Sequence, residues 1–90
     1  MDENNPTVRL AVFGREMELF LESDIGEYIR ECASRDVEEA LTGLKNVDAE
    51  DPKAIRALQF KLRVAESVIG WISDAIESGK QAVETLREAP

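Results

Sequence analysis

The side chains that could carry out chemistry in this sequence of 90 residues are carboxylates and a single thiol, because histidine is absent. Without imidazole the chain lacks the commonest general base and metal ligand, and neither a Ser-His-Asp triad nor a Glu-x-x-His metal motif can form. Carboxylates group at helical spacing at Glu27 with Glu31, and at Glu66 with Asp74 and Glu77. Because no apolar surroundings are expected to shift their pKa values, we interpret them as solvated faces and predict no enzyme, no catalytic residue and no metal ligand.

The lone cysteine, Cys32, lies among Ile29, Ala33 and Val37 in a helical apolar pattern. It has no partner for an internal disulfide, and its surroundings show no zinc-ligand spacing. We therefore expect a small core residue rather than a nucleophile, in an intracellular protein.

The five glycines are isolated in the sequence, so none belongs to a phosphate-binding loop, and no cofactor is predicted. Gly14, Gly70 and Gly79 fall within helical patterns. At these three positions we expect two helices to approach each other closely.

Nineteen acidic side chains outnumber eleven basic ones, which gives a formal net charge of -8. Such a charge repels phosphate backbones and anionic membrane surfaces, so no direct contact with nucleic acid or membrane is expected. Four basic residues gather at the start of the third predicted helix: Lys53, Arg56, Lys61 and Arg63. We expect them to pair with nearby acidic residues, and Lys61 to pair with Glu38 or Glu39 or to extend into solvent.

The length fits one domain with a modest core, and 43% of the residues are hydrophobic, as expected for a folded chain. No apolar run approaches the roughly 18 residues that span a bilayer. The first residues, MDENNP, are acidic and polar, whereas a signal peptide is basic and then apolar. These features predict a soluble, cytoplasmic protein.

Two helix starts share one arrangement, Asn5-Pro6 and Asp51-Pro52. In each, the first side chain is suited to cap free backbone N-H groups at the start of a helix. The proline that follows lacks the N-H group that would otherwise be unsatisfied at the first helical position. Both pairs therefore predict that a helix begins at the proline.

A third helix start lies at Ser23-Asp24, where either residue is suited to cap the helix, and where Glu27 would form a capping box with Asp24. No stretch alternates apolar and polar residues in the way that a strand requires. The sequence therefore predicts a single all-α domain over residues 1–90. The predicted helices span about 6–22, 24–46 and 52–88.

The third predicted helix carries two adjacent apolar rows. The first, here called the packed row, recurs every three or four residues as in a coiled-coil seam: Ile55, Leu58, Leu62, Ala65, Ile69, Ile72, Ile76, Gly79, Val83 and Leu86. The second row runs beside it: Ala57, Val64, Val68, Trp71, Ala75 and Ala82. A helix with one neighbour needs only the packed row. The second row therefore indicates a further contact.

The second predicted helix supplies one neighbour, because the short connection "VDAED" returns the chain antiparallel to it. The apolar side of that helix consists of Ile25, Ile29, Ala33, Val37, Ala40, Leu44 and Val47. The first helix could fold back along the second, which would leave Ile76, Val83 and Leu86 exposed. Alternatively the chain kinks at Ser23-Asp24, and the first two helices form a broken arm of about 41 residues beside a third helix of about 37. We favour this kinked helical hairpin.

In the kinked hairpin the second row is free to contact another molecule. A second copy is the simplest partner, and we predict a homo-oligomer, most simply an isologous dimer with a four-helix core. A higher oligomer, a compact monomer and an obligate foreign partner are the alternatives, and Trp71 is either a core residue or an intermolecular anchor. The predicted interface residues are Val64, Val68, Trp71, Ala75, Phe13 and Phe20.

The segments "LAVFGREMELFLESDIGEYI" and "DPKAIRALQFKLRVAESVIGWISDAIESGKQA" resemble small helical proteins encoded in tailed-bacteriophage genomes, over roughly residues 10–82. The resemblance implies a phage product made in the bacterial host cytoplasm, and assigns no role to any residue. Such products are commonly virion-assembly parts, accessory factors or inhibitors of host machinery. We therefore expect a non-enzymatic, self-associating assembly or accessory protein. The alternative is an acidic inhibitor or adaptor that binds a host protein, for example as a nucleic-acid mimic.

Overall fold

The computed structural model describes residues 4–89, which form three α-helices and contain no strand. The helices are α1 (Pro6–Glu22), α2 (Asp24–Asn46) and α3 (Pro52–Glu88). The predicted all-α fold with three helices is confirmed, and the helix bounds coincide with the predicted ones. Contacts within the chain define two compact units: residues up to Glu27 with those from Trp71 onward, and Tyr28–Gly70. Each unit is described by itself, and the prediction of a single domain stays a prediction.

The starts of α1 and α3 are capped as the sequence predicts. The Asn5 side-chain oxygen Oδ1 accepts a hydrogen bond of 2.9 Å from the backbone N-H of Thr7. The Asp51 Oδ1 accepts one of 3.1 Å from the backbone N-H of Ala54. Each of these bonds satisfies an N-H group that has no partner within its helix, so both predicted caps are confirmed.

A single residue, Ser23, separates α1 from α2 and belongs to both helix ends. Its backbone is extended (φ −77°, ψ 159°), its N-H and its hydroxyl both donate to the Phe20 carbonyl, and its Oγ accepts from the Gly26 N-H at 3.1 Å. The predicted capping box of Asp24 and Glu27 is wrong, because Ser23 is the cap and Gly26 therefore occupies the third helical position. A Cβ atom on Gly26 would lie 1.8 Å from the Phe20 oxygen, so this junction requires glycine.

In the first unit, α1 packs antiparallel on the C-terminal part of α3, as in the predicted kinked hairpin. The backbones meet at two glycines: a Cβ atom on Gly14 would lie 2.6 Å from Gly79 Cα, and one on Gly79 would lie 3.1 Å from the Leu10 carbonyl oxygen. Val8 and Ala82 are buried beside this contact. The predicted close approach at Gly14 and Gly79 is therefore confirmed.

In the second unit, Tyr28–Gly70, α2 packs antiparallel on the N-terminal part of α3, as the short connection between them predicts. Ala33, Ala40 and Ala65 are buried in this contact. A Cβ atom on Gly43 would lie 2.7 Å from Cδ2 of Leu58, which shows that this side chain fills the space over the glycine. Small residues on both helices thus allow them to lie close together.

The packed row of α3 faces the neighbouring helix in each unit, since all of its members are buried or half-buried. Few hydrophobic residues are nevertheless buried. The buried hydrophobic residues of the described part are one valine and four alanines: Val8, Ala33, Ala40, Ala65 and Ala82. Two predictions about packing are wrong. A Cβ atom on Gly70 would meet no atom within 4 Å, and Ile25, assigned to the packed side of the second helix, is 68% exposed.

Candidate protein-interaction site

The first unit leaves large apolar side chains of α1 in solvent. Leu10, Val12, Phe13 and Leu19 are all about half exposed. The packing of α1 on α3 therefore leaves these four side chains partly uncovered.

A groove of about 710 Å³ runs along the exposed side of α1, with Arg9 and Glu16 as its charged lining residues. Its other lining residues are Pro6, Val8, Leu10, Val12 and Phe13. A smaller depression of about 300 Å³ lies between Phe13 and Ile72, and is also lined by Glu16, Met17 and Phe20. Both are mostly apolar and carry no convergent set of polar groups, which a small-molecule site normally contains.

The second unit exposes an apolar strip on the N-terminal part of α3. Ala57, Phe60 and Val64 follow one another at intervals of three and four residues, and Phe60 is 68% exposed. Val68 continues the strip and is half-buried. Phe60 is absent from the predicted interface, although its spacing from Val64 was the signal that could have identified it.

The predicted interface residues are exposed to different degrees. Trp71 is 71% exposed, and Val64 and Phe13 are about half exposed. Val68, Ala75 and Phe20 are half-buried. The high exposure of Trp71 excludes the core role that was its alternative interpretation, and its role at an interface stays a prediction.

The basic cluster at the start of α3 is mostly unpaired. Lys61 Nζ donates to Glu39 Oε2 at 2.7 Å, which confirms the predicted pairing with this glutamate. Arg56 Nε donates to the backbone carbonyl of Pro52 at 3.3 Å. Among residues 4–89, ion pairs involve neither Lys53 nor Arg56 nor Arg63, so the prediction that the whole cluster pairs internally is wrong.

The pair between α2 and α3 shifts the pKa values of both its members. The hydrogen bond from Lys61 lowers the pKa of Glu39, and the Arg35 guanidinium, 3.9 Å away, contributes in the same direction. The hydrogen bond to Glu39 raises the pKa of Lys61. Both side chains remain substantially exposed, and the pair therefore has the character of a surface salt bridge rather than of a reactive group.

The carboxylates do not converge on a common point. In the described part of the chain, no three His, Cys, Asp or Glu side chains lie close enough together to hold a metal ion. Glu77 accepts a hydrogen bond of 3.5 Å from Gln81, and neither Asp74 nor Glu84 takes part in an ion pair there. Cys32 is half-buried rather than fully buried. The large exposed features of the described residues are the apolar side chains of α1 and α3, which are of the kind found at protein-interaction surfaces.

Comparison of the chain with protein families, with curated proteins and with solved structures finds no match. Within the described residues, no helix is both long enough and apolar enough to cross a membrane.

Proposed function

We propose that this protein is a non-enzymatic helical protein that associates with copies of itself, most simply as a dimer, and that serves as a small phage assembly or accessory component. Exposed apolar side chains support this proposal most directly. Phe13, Phe60, Val64 and Trp71 are each at least half exposed, and the buried hydrophobic residues are small. Contiguous groups of exposed apolar side chains mark interaction surfaces on soluble proteins.

The surface area supports the same proposal. The chain of 10.1 kDa exposes 6943 Å², whereas a folded monomer of this mass exposes about 5,300 Å². A standard protein interface takes about 800 Å² from each partner. The excess of about 1,600 Å² is therefore large enough to supply one such interface, and a second copy is the partner that requires no other component.

The phage assignment rests on the resemblance of residues 10–82 to phage-encoded helical proteins. We accordingly propose that the protein acts in the bacterial host cytoplasm, or in the virion if it remains part of the assembled particle. An assembly role fits a small protein whose described surface offers large apolar side chains.

Substitution of Trp71 by glutamate tests self-association at the most exposed of the predicted interface residues. Trp71→Glu should lower the solution mass at a given concentration, because a buried charge at an interface is costly. Tyr28→Glu is the matched control, since Tyr28 is 67% exposed and lies outside the predicted interface. An unchanged mass for Trp71→Glu, with helical content retained, would show that Trp71 is not at the interface.

A second candidate function is an acidic inhibitor or adaptor that binds a host protein, for example by taking the place of nucleic acid on it. It is supported by the exposed and unpaired carboxylates of Asp74 and Glu84 in a chain of net charge -8. Capture from bacterial lysate separates the two candidates. Recovery of a DNA-binding enzyme that moderate salt releases supports mimicry, whereas recovery of phage structural proteins supports assembly.

A further inference from the structure

Five positions of α3 recur at intervals of seven residues and form what is here called the charge row: Arg56, Arg63, Gly70, Glu77 and Glu84. Seven residues make nearly two helical turns, so successive members lie about 10.5 Å apart along the helix and within about 20° of one another around it. The order of the row is positive, positive, neutral, negative, negative. When two such rows run in opposite directions, the positive end of each therefore faces the negative end of the other.

The basic end of the charge row lies in the unit Tyr28–Gly70. Arg56 and Arg63 are exposed, and no acidic side chain occurs between Asp51 and Glu66 to neutralise them. The Phe60 ring lies between them in sequence and is also exposed. This end therefore combines unpaired positive charge with an uncovered aromatic side chain.

The acidic end of the charge row lies in the other unit. Glu77 and Glu84 are exposed and, within the described residues, form no ion pair. Trp71 and Asp74 accompany them on the same helix, and both are exposed. This end therefore combines unpaired negative charge with a second uncovered aromatic side chain. Its charge is opposite to that of the basic end, and both ends expose an aromatic ring that a partner can cover.

We propose that α3 of one copy binds antiparallel to α3 of a second copy, with the basic end of each charge row facing the acidic end of the other. In this register Arg63 faces Glu77 of the second copy, and Arg56 faces Glu84. The proposal rests on the self-association proposed above and names the surface responsible for it. A parallel arrangement would place like charges opposite each other, which opposes association, so the order of the charges selects the antiparallel one.

Gly70 lies at the midpoint of the charge row. A Cβ atom there would meet nothing within 4 Å, so packing within the chain does not require glycine at this position. In the antiparallel contact Gly70 faces its own counterpart, and the absence of a side chain allows the two helix backbones to approach each other. Phe60 and Val64, which precede Gly70 on α3, and Trp71, which follows it, then supply the apolar contact.

Charge reversal tests the pairing directly. Arg63→Glu and Glu77→Arg should each raise the dissociation constant of the oligomer by about tenfold, because each places like charges opposite each other. The double variant should return it to within about threefold of wild type. Arg30→Glu is the matched control: it changes the net charge by the same amount as Arg63→Glu, and Arg30 is an exposed residue of α2 outside the row. It should change the dissociation constant by less than about threefold.

Mixing the two single variants gives a second readout. Copies carrying Arg63→Glu repel one another, as do copies carrying Glu77→Arg, but a mixed pair has opposite charges at every contact. Equimolar mixing should therefore restore association to about the wild-type level. Circular dichroism confirms that each variant keeps its helical content, which substitution of these exposed residues should leave unchanged.

The two proposals fail in different ways. A wild-type protein that stays monomeric at all concentrations would refute self-association, and with it the antiparallel contact. An oligomer that both charge reversals leave intact would refute the contact alone. If the charge reversals weakened association and neither the double variant nor the mixture restored it, this result would also refute the antiparallel contact alone. Restoration in both experiments is the result that the proposal predicts, and sedimentation equilibrium measures all of these dissociation constants.

Discussion

Replacement of Gly79 by alanine places a methyl group against the backbone of α1. The new Cβ atom would lie 2.7 Å from Gly14 Cα and 3.1 Å from the Leu10 carbonyl oxygen. Because carbon atoms in contact normally lie 3.5–4.0 Å apart, the two helices must separate locally by roughly 1 Å. Such overpacking costs about 1–3 kcal/mol, while the better helix propensity of alanine returns up to about 1 kcal/mol. We expect a net loss of about 1–2 kcal/mol.

Gly43→Ala is the matched control for this prediction. Its Cβ atom would also approach a neighbour to 2.7 Å, but that neighbour is Cδ2 of Leu58. A methyl group at the end of a side chain can move by rotation about its own bonds, whereas backbone atoms of a helix cannot. The gain in helix propensity then largely offsets the cost, and the stability of Gly43→Ala should lie within about 1 kcal/mol of wild type.

Thermal unfolding followed by circular dichroism compares the two variants at one fixed protein concentration, since the proposed association would make the melting temperature depend on concentration. For a domain of this size, a loss of 1–2 kcal/mol lowers the melting temperature by about 4–16 °C. Gly79→Ala should therefore melt clearly below Gly43→Ala. Equal melting temperatures would refute the close backbone contact between α1 and α3.

Two further predictions concern polar contacts. Ser23→Ala removes both hydrogen bonds of the hydroxyl at the junction of α1 and α2 and should cost about 0.5–2 kcal/mol in urea unfolding. Lys61→Met should lower the melting temperature near neutral pH and have a smaller effect at both pH extremes. The contribution of Glu39, whose pKa is lowered, is present above its unfolded pKa and is lost as the pH falls through its folded pKa. The contribution of Lys61, whose pKa is raised, is present below its unfolded pKa and is lost as the pH rises through its folded pKa.

Each of these predictions has a control. Ser34→Ala makes the same change at an exposed position of α2 where the side chain forms no hydrogen bond in the described structure, and it should not destabilise the protein. A loss as large as that of Ser23→Ala would contradict the capping role. For the ion pair, an effect of Lys61→Met that stayed constant from acid to alkaline pH would show that lost packing, rather than lost charge, causes it.

The helix bounds could be predicted from the sequence because their signals are local. Asn5-Pro6 and Asp51-Pro52 place a capping side chain directly before a proline, and both caps form as expected. The register of the cap at Ser23 could not be predicted, because Ser and Asp are both good capping residues. Only the structure shows that the Ser23 hydroxyl accepts from Gly26.

Contacts between helices were harder to predict than the helices themselves. Gly70 and Gly79 both lie within apolar patterns, but only Gly79 meets another helix, because α1 packs on that part of α3. The exposure of Phe60 was equally hard to predict. The sequence shows an apolar residue within a helical pattern, but the positions of the neighbouring helices determine that the Phe60 side chain is 68% exposed.

The absolute mass of the wild-type protein in solution tests the central claim most directly. Light scattering after size-exclusion chromatography, over a range of concentrations, should give a stable multiple of 10.1 kDa, because we propose that further copies of the chain cover the exposed apolar surface. A mass of 10.1 kDa at every concentration would contradict self-association.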